Sequence, residues 1–233
     1  MPRLKTGKKK RRMPKPKTGK RGKSGIAKRR AAAKTDASEH YLERRRGVVL
    51  AAAAVFKEKS LAGTSIDDIA QAAGLDRATL YYYFESKEEL FREVVIDAVI
   101  SNIKLGEEVA KSDDPPNVKL TSLISGVMGS YAEFYPHLFV FLREDPTMMS
   151  SRGNPDIDII ELSRRFDHAL IEIIRVGIDD GVFRDDISPR LAAYGIVGML
   201  NWSHRWFDPN GPVDTDEVAR AFASLAVDGL KKR

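Results

Sequence analysis

The residues best suited to chemistry in this chain are hydrogen-bond donors gathered in the stretch GLDRATLYYYFESKEEL, residues 74–90. Arg77 can reach guanine edges or phosphate oxygens, and the hydroxyl of Thr79 can reach phosphate. Tyr81 offers an apolar ring edge to thymine methyl groups and a hydroxyl to phosphate. Lys87 can pair with a phosphate, and the backbone N–H groups of a helix start favour an anion there as well. These residue types predict recognition of nucleic acid.

Residue types that support catalysis or metal binding form no comparable pattern. The chain has four histidines without metal-ligand spacing between them, and it has no cysteine. No G-x-S-x-G sequence or phosphate-cradling glycine loop is present. Arg143, Glu144, Asp145 and His168 could form a polar cluster, but solvated or helix-capping roles are favoured. The sequence therefore predicts no catalytic residue, no metal site and no cofactor; an all-α enzyme remains a disfavoured alternative.

Two short helices around a glycine turn must position the donors. In GTSIDDIAQAAG the apolar residues recur at helical spacing, and Gly74 follows the last of them, where a glycine ends a helix. Thr64 or Ser65 begins this helix. Asp76 begins the second helix, which is predicted to run through Tyr82. The pair predicts a helix-turn-helix, whose second helix enters the DNA major groove; the alternative is an ordinary helical hairpin.

The second helix cannot bury four consecutive aromatic residues, because successive side chains are about 100° apart around the helix axis. Leu75, Leu80 and Phe84 are predicted to face the core, and Tyr82 to pack against the preceding helix. The side chains predicted to remain outside are Arg77, Ala78, Thr79, Tyr81 and Tyr83.

Helical periodicity continues through the rest of the chain and predicts an all-α fold. Three N-terminal helices form the predicted helix-turn-helix domain, residues 38–92. The remaining residues, 93–233, are predicted to form a larger helical domain. Its helices are predicted at 86–111, 117–137, 156–180, 189–206 and 214–230, with HLFVFLRED continuing after Pro136 and a break before 156.

The charge of the chain is divided between its two ends. Residues 1–35 carry 16 Lys/Arg and no acid, whereas the remaining 198 residues carry 23 Lys/Arg against 33 Asp/Glu. Residues 1–37 are predicted to be a basic, disordered arm that neutralises DNA phosphates. The alternative is a solubilising extension, or one read from a start codon chosen too early. The helix-turn-helix region, residues 36–92, has a net charge of −2, so the arm would supply the missing attraction.

The composition excludes several other classes of protein. Without cysteine there are no disulfides, and no apolar run approaches the length of a membrane span. The basic N-terminus has no apolar stretch behind it, as a secretory signal would. We expect no membrane partner and a location in the bacterial cytoplasm.

Residues 44–92 resemble the DNA-binding domain of the TetR family of bacterial repressors. The resemblance rests on T-S-x-x-x-I-A, then A-G, T-L-Y-Y-x-F and S-K-E-E-L. It implies an all-helical homodimer that binds double-stranded DNA. Two departures stand out: Tyr83 replaces a frequent histidine, and Ser60 replaces a frequent glycine at the end of the first helix. By family position, the residues that would contact DNA phosphates are Thr64, Ser65, Tyr83 and Lys87. Those that would lie near bases are Arg77, Ala78 and Tyr81, and Thr79 would lie near the DNA backbone.

The C-terminal domain carries the candidate effector residues. The string NWSHRWFDPNGP resembles the end of the eighth helix in TetR-type repressors of fatty-acid and steroid breakdown, whose effectors are CoA thioesters. An arginine beside tryptophan could hold a CoA phosphate and stack on adenine. The alternative for the aromatic stripe at 128–143 is core packing. The alternative for the string NWSHRWFDPNGP is a helix end that anchors a dimer. The predicted ligand-binding residues are Tyr131, Phe134, Phe139, Arg143, Phe166, Trp202, Arg205 and Trp206.

By the same resemblance, the last two helices pair with their twins in a four-helix dimer interface; intrachain core packing is the alternative. The residues that suit the interface are Leu191, Tyr194, Ile196, Val197, Leu200, Val218, Phe222, Leu225 and Val227.

The predicted function is a ligand-responsive repressor, which binds a palindromic operator as a homodimer and is released by a small hydrophobic effector, an acyl-CoA or steroid-CoA thioester. The main alternative is a nonspecific nucleic-acid-binding protein that acts through its arm.

Overall fold

The structure, a computed structural model, describes residues 39–144 and 159–232. The regular elements within these ranges are α helices, so the predicted all-α class is confirmed. The predicted basic arm and the predicted break before residue 156 lie outside the described residues. The helices are α1 (Glu39–Gly63), α2 (Ile66–Ala72), α3 (Arg77–Tyr83), α4 (Lys87–Lys111), α5 (Pro116–Glu133), α6 (His137–Arg143), α7 (Ile159–Asp179), α8 (Pro189–Trp202) and α9 (Thr215–Leu230), with a 3-10 turn at Ser203–Arg205.

Two predicted helix limits differ from the structure. The helix expected to run from 117 to 137 ends at Glu133, because the chain turns before Pro136 and restarts as α6. The helix expected to reach 206 ends at Trp202 and continues as the 3-10 turn. Helix α1 is interrupted at Ser60, whose φ of 65° and ψ of 168° lie outside the helical region.

The N-terminal core is small and built around alanine. Ala52 and Ala53 are buried on α1 and allow close approach of α2, and Phe56 meets Phe91 of α4 edge-on at 5.5 Å. Val140 of α6 is fully buried in this same core. The N-terminal domain therefore packs directly against a helix from the C-terminal part of the chain.

A second, larger core lies between α4, α5, α7, α8 and α9. Helix α4 contributes to both cores: Phe91 and Val95 pack in the first, and Ala98 packs in the second. Leu105 of α4 lies so close to Gly126 of α5 that a Cβ at Gly126 would come within 2.5 Å of it. None of the helices in the described ranges is long and apolar enough to cross a membrane.

Candidate DNA-binding surface and effector cavity

Helix α2 begins at a capping box that also anchors a cation. Ser65 is the N-cap: its Oγ accepts from the Asp68 backbone N–H at 3.1 Å, and its own N–H donates to Asp68 Oδ2 at 2.8 Å. Lys59 lies 2.6 Å from Asp68 Oδ1. Hydrogen bonds from Lys59 and Ser65 hold the pKa of Asp68 well below its usual range, so the carboxylate stays charged. Of the two predicted N-cap residues, Ser65 is therefore the correct one.

Helix α3 is capped by Asp76, as predicted. The Asp76 carboxylate accepts from the Thr79 backbone N–H at 2.7 Å and from the Thr79 hydroxyl at 3.1 Å. These hydrogen bonds lower the pKa of Asp76. Gly74 precedes the helix with a φ of +65°, which glycine adopts without steric cost. Sequence-local chemistry thus fixes both the start of α3 and the turn before it.

The outer face of α3 presents the predicted base-reading residues. Arg77 and Ala78 are exposed, and Tyr81 is half-buried. The guanidinium of Arg77 lies 5.7 Å from the centre of the Tyr81 ring and 3.0 Å from Asp67 Oδ2. An ion pair this exposed is screened by water and weak, so a DNA phosphate or guanine can displace Asp67.

One expectation about exposure is wrong, and one residue predicted to contact phosphate is buried. Tyr83, predicted to lie outside, is only 8% exposed, because its ring packs between Tyr41 at 5.1 Å and Tyr82 at 5.2 Å. Thr64 is 3% exposed, and its hydroxyl donates to the Ser60 carbonyl at 2.6 Å. Their predicted phosphate contacts require side-chain movement, whereas Ser65 is exposed without it.

The Lys87 side chain is directed toward its own chain. Its Nζ donates to the carbonyls of Leu61 at 2.7 Å and Thr64 at 2.9 Å, at the junction of α1 and α2. The N–H of the same Leu61 donates to Glu144 Oε1 at 2.7 Å. Leu61 is therefore held on one side by a residue beside the DNA-binding surface and on the other by the end of α6.

A cavity of about 380 Å³ lies in the C-terminal domain between α4, α5, α6, α7 and α8. Its size is within the ~300–1,000 Å³ range typical of small-molecule sites. The lining is mostly apolar, with polar groups from several helices. The lining residues that matter below are Asn102, Met128, Tyr131, Glu144, Phe166 and Asp167.

The structure divides the eight predicted ligand residues into separate groups. Tyr131 and Phe166 line the cavity. Phe134 and Phe139 are partly buried beside it, in the surrounding core. Arg143 is exposed and donates to the Lys57 carbonyl at 2.5 Å, which joins α6 to α1. Most of the ligand-binding residues predicted from the aromatic stripe at 128–143 therefore do not line the cavity, because the stripe also supplies the hydrophobic core.

Trp202, Arg205 and Trp206 form an outer cluster at the end of α8. The Arg205 guanidinium lies 4.7 Å from the Trp202 ring centre. Trp202 is 60% exposed, and Trp206 meets Phe222 of α9 edge-on at 6.1 Å. An edge contact between His204 and Phe139, at 6.1 Å, links this cluster to the cavity region.

Sequence reasoning missed several polar cavity residues, among them Asn102 and Asp167. Both stand on largely apolar helix faces: Asn102 follows Val99 by three residues on α4, and Asp167 precedes Leu170 by three residues on α7. Burial raises the pKa of the Asp167 carboxyl. The sequence signal that could have identified these cavity residues is a polar residue within an apolar helical stripe.

The outer faces of α8 and α9 carry exposed apolar side chains. Three members of the predicted interface set are exposed there, Leu191, Tyr194 and Leu225. The prediction was wrong for other members of the set: they are buried in the core of their own chain, because they occupy the inner faces of the two helices. These buried residues are Ile196, Leu200 and Val218.

A capped helix-turn-helix joined to a helical domain with an internal cavity defines the class of ligand-binding transcriptional regulators. Residues 48–94 match the family described as "Bacterial regulatory proteins, tetR family", and residues 113–230 match "Tetracyclin repressor-like, C-terminal domain". The chain belongs to the TetR family. Proteins of this family are transcriptional regulators rather than enzymes.

Several characterised proteins are similar to the chain over most of its length. The HTH-type transcriptional repressor KstR2 of Mycolicibacterium smegmatis is 27% identical over 198 residues, which cover 84% of this chain and 94% of that protein. The ketosteroid transcriptional regulator KstR2 of Mycobacterium tuberculosis superposes with a TM-score of 0.74 at 25% identity, covering 82% of this chain and 96% of that one. The TetR family transcriptional regulator PfmR of Thermus thermophilus superposes with a TM-score of 0.67 at 34% identity, covering 79% and 99%.

Proposed function

We propose that the chain is a transcriptional repressor that binds a palindromic operator as a homodimer in the bacterial cytoplasm. A small hydrophobic effector, an acyl-CoA or steroid-CoA thioester, releases it. The observation that carries the proposal is the direct connection from the cavity to the helix-turn-helix. Glu144 lines the cavity and accepts from Leu61, whose carbonyl in turn accepts from Lys87.

The DNA-binding half of the proposal rests on the surface of α3. Arg77, Ala78 and Tyr81 occupy its accessible face, and Asp67, the weakly held partner of Arg77, is easily displaced. In a symmetric dimer, two such helices must lie about 34–36 Å apart to enter adjacent major grooves. The spacing between the two α3 helices is therefore the variable that an effector has to change.

The exposed apolar face of α8 and α9 supports dimerisation. Leu191 and Leu225 are each 66% exposed in the single chain, and Tyr194 is also exposed on α8. Apolar side chains grouped on adjacent helices are typical of protein interfaces. A twofold pairing of this face with its own copy would bury them and generate the symmetry that a palindromic operator requires.

The cavity supports a neutral acyl group more than a free fatty acid. Two carboxylates, Glu144 and Asp167, line it, and within the described ranges no lysine or arginine lines it. An anionic head group inside would be both desolvated and repelled. A thioester is uncharged, and its CoA portion would lie outside, where Arg205 and Trp202 offer a cation and an exposed ring.

The effector acts only through unequal affinity for two arrangements of the dimer. A hundredfold loss of operator affinity requires about 2.7 kcal/mol of coupling. Contacts of α6 with the N-terminal core supply a path: Val140 is buried in that core, and Arg143 and Glu144 bond to the α1 backbone. Filling the cavity would displace α6 and loosen these bonds.

Footprinting on DNA from the gene's own surroundings, followed by titration with CoA thioesters, tests the proposal. We expect protection of one palindromic site and its loss when an acyl-CoA or steroid-CoA is added, with free CoA as the control. Uniform coating of all DNA would favour the alternative suggested by the basic arm, a nonspecific nucleic-acid-binding protein. A specific footprint that no thioester alters would reject the effector assignment.

A further inference from the structure

One arginine of α1 contacts both the recognition helix and the helix that follows it. The guanidinium of Arg45 lies 4.6 Å from the centre of the Phe84 ring and forms an ion pair with Glu93. Phe84 is fully buried and is the C-cap of α3, whereas Glu93 lies on the second turn of α4. Arg45 therefore bridges the end of α3 and the beginning of α4.

Partial burial shields this bridge from water more than the ion pairs on the outer surface. The Arg45 side chain is 19% exposed, against 60% for Arg77 in its pair with Asp67. Water and salt screen a partly buried pair less than an exposed one. The hydrogen bond to Glu93 raises the pKa of Arg45, against the effect of desolvation. The planar guanidinium over an aromatic ring adds a cation–π attraction to the ion pair.

The bridge lies where the orientation of α3 is decided. Three residues, 84–86, separate Tyr83 at the end of α3 from Lys87 at the start of α4. Phe84 is the first of them, and its backbone is extended, with a φ of −134° and a ψ of 139°. Because the link is so short, α3 can tilt relative to α4 only if Phe84 or the first turns of α4 move. Arg45 holds both sides of this link.

The tilt of α3 relative to α4 controls the distance between the two recognition helices of a dimer. Helix α4 continues into the second core, where Ala98 packs and where Asn102 and Ile103 line the cavity. The same core includes the inner faces of α8 and α9, whose outer faces form the proposed dimer interface. An angle fixed at the link between α3 and α4 is therefore transmitted to the separation of the two operator half-sites.

We infer that Arg45 is a positioning residue that fixes the angle between α3 and α4 and so selects the spacing of the two operator half-sites. It acts through Phe84 and Glu93, and the base-reading residues of α3 keep their own preference whether or not Arg45 is present. The inference rests on the proposed function, since half-site spacing matters only for a homodimer on a palindromic operator.

A distance measurement between the two subunits tests the inference directly. The chain has no cysteine, so Gln71→Cys, at an exposed position of α2, introduces one spin label per subunit. Double electron–electron resonance on this labelled full-length parent should give a narrow distribution of distances. Adding Arg45→Met should widen the distribution about twofold, because several tilts of α3 become accessible.

Selection of operators from a DNA library gives a second readout. The library varies only the number of base pairs between two fixed half-sites. The parent should bind its best spacing about tenfold more tightly than spacings one base pair longer or shorter, and Arg45→Met should reduce this ratio to within about threefold. A loss of stability alone lowers binding to all spacings equally, so it cannot imitate this result. A parent without a spacing preference overturns the inference.

Three further variants separate the role of Arg45 from a general loss of packing. Arg165→Met removes another arginine paired with a glutamate of α4, Glu107 at 2.6 Å, and should leave both readouts unchanged because it lies outside the helix-turn-helix. Glu93→Gln should reproduce the effect of Arg45→Met, and the double variant should be no worse than the more affected single one. Arg45→Lys keeps a cation beside Glu93 but loses the planar group over Phe84, so it should also widen the distribution and serves if Arg45→Met does not fold.

The possible failures can be told apart. If the labelled parent gives no distance between subunits, the proposed dimer fails and the inference fails with it. If the parent dimerises but neither Arg45 variant changes the distance distribution or the spacing preference, the inference fails and the proposed function stands. An equal effect of Arg165→Met, or additive effects of Arg45→Met and Glu93→Gln, would also overturn it.

Discussion

The contacts that position Arg77 for recognition are weak enough for DNA to replace them. Its guanidinium lies over Tyr81 and against Asp67, both exposed enough to yield to DNA. Arg77→Ala should weaken operator binding by about 1–3 kcal/mol, because a bidentate contact to a base or phosphate is lost. Gel-shift titration against operator and scrambled DNA measures the effect. Arg175→Ala, an exposed ion-paired arginine on α7, is the control, and an equal effect of both variants would contradict the assignment.

Ser60 is a residue in a conformation that suits glycine. A φ of 65° with a ψ of 168° costs a side-chain-bearing residue about 1–3 kcal/mol, whereas the added flexibility of glycine in the unfolded chain costs about 0.4–1 kcal/mol. Ser60→Gly should therefore raise the free energy of unfolding by about 1 kcal/mol, as measured by urea denaturation. Ser122→Gly, within helix α5, should lower it by about 0.5–1 kcal/mol. Destabilisation by Ser60→Gly would show that the serine relieves its own strain.

At the scale of secondary-structure elements, α6 connects the two cores. Its terminal Glu144 accepts from the Leu61 N–H at 2.7 Å. We expect Glu144→Ala to bind the effector but to lose most of the effector-dependent change in operator affinity, because the cavity wall no longer holds the α1–α2 junction. Glu144→Gln retains an oxygen acceptor and should keep most of the response. Operator titrations with and without effector measure both, and a full response in Glu144→Ala would rule out this connection.

The elements that the sequence predicted well are those whose determinants are local. Asp76 and Gly74 fix the start of α3 and the turn before it through neighbours within a few residues. The burial of Tyr83 could not be predicted in this way, because it depends on Tyr41, more than forty residues earlier. The cavity was harder still: Asn102 and Asp167 come from different helices, and only tertiary packing brings them to one wall.

At the scale of the whole molecule, the outer face of α8 and α9 should decide the oligomeric state. Leu225→Glu places a charge in the proposed interface and should convert the dimer to a monomer with much weaker operator binding. Leu50→Glu is a matched control, since Leu50 is 63% exposed on α1, against 66% for Leu225. Analytical ultracentrifugation distinguishes the two states. A Leu225→Glu variant that remains dimeric would exclude this face as the interface.

Long-range attraction to DNA should depend on residues 1–35. They hold 16 Lys/Arg, whereas residues 36–92 have a net charge of −2. Deleting 1–35 should weaken operator affinity and flatten its dependence on salt, because each neutralised phosphate adds about −0.9 to the slope of log K against log salt. Base preference should persist, since the α3 residues are unchanged. An unaltered slope in the deletion variant would show that the segment does not contact DNA.

Helix α4 is one continuous helix that packs in both hydrophobic cores, and this couples the stability of the two halves of the chain. Melting of either half removes packing from the other, so heat should unfold the described chain in one cooperative step rather than two. A molecule lodged in the C-terminal half would then protect the N-terminal half against proteases as well, although it touches no residue there. Regulation and resistance to degradation would be two results of the same shared helix.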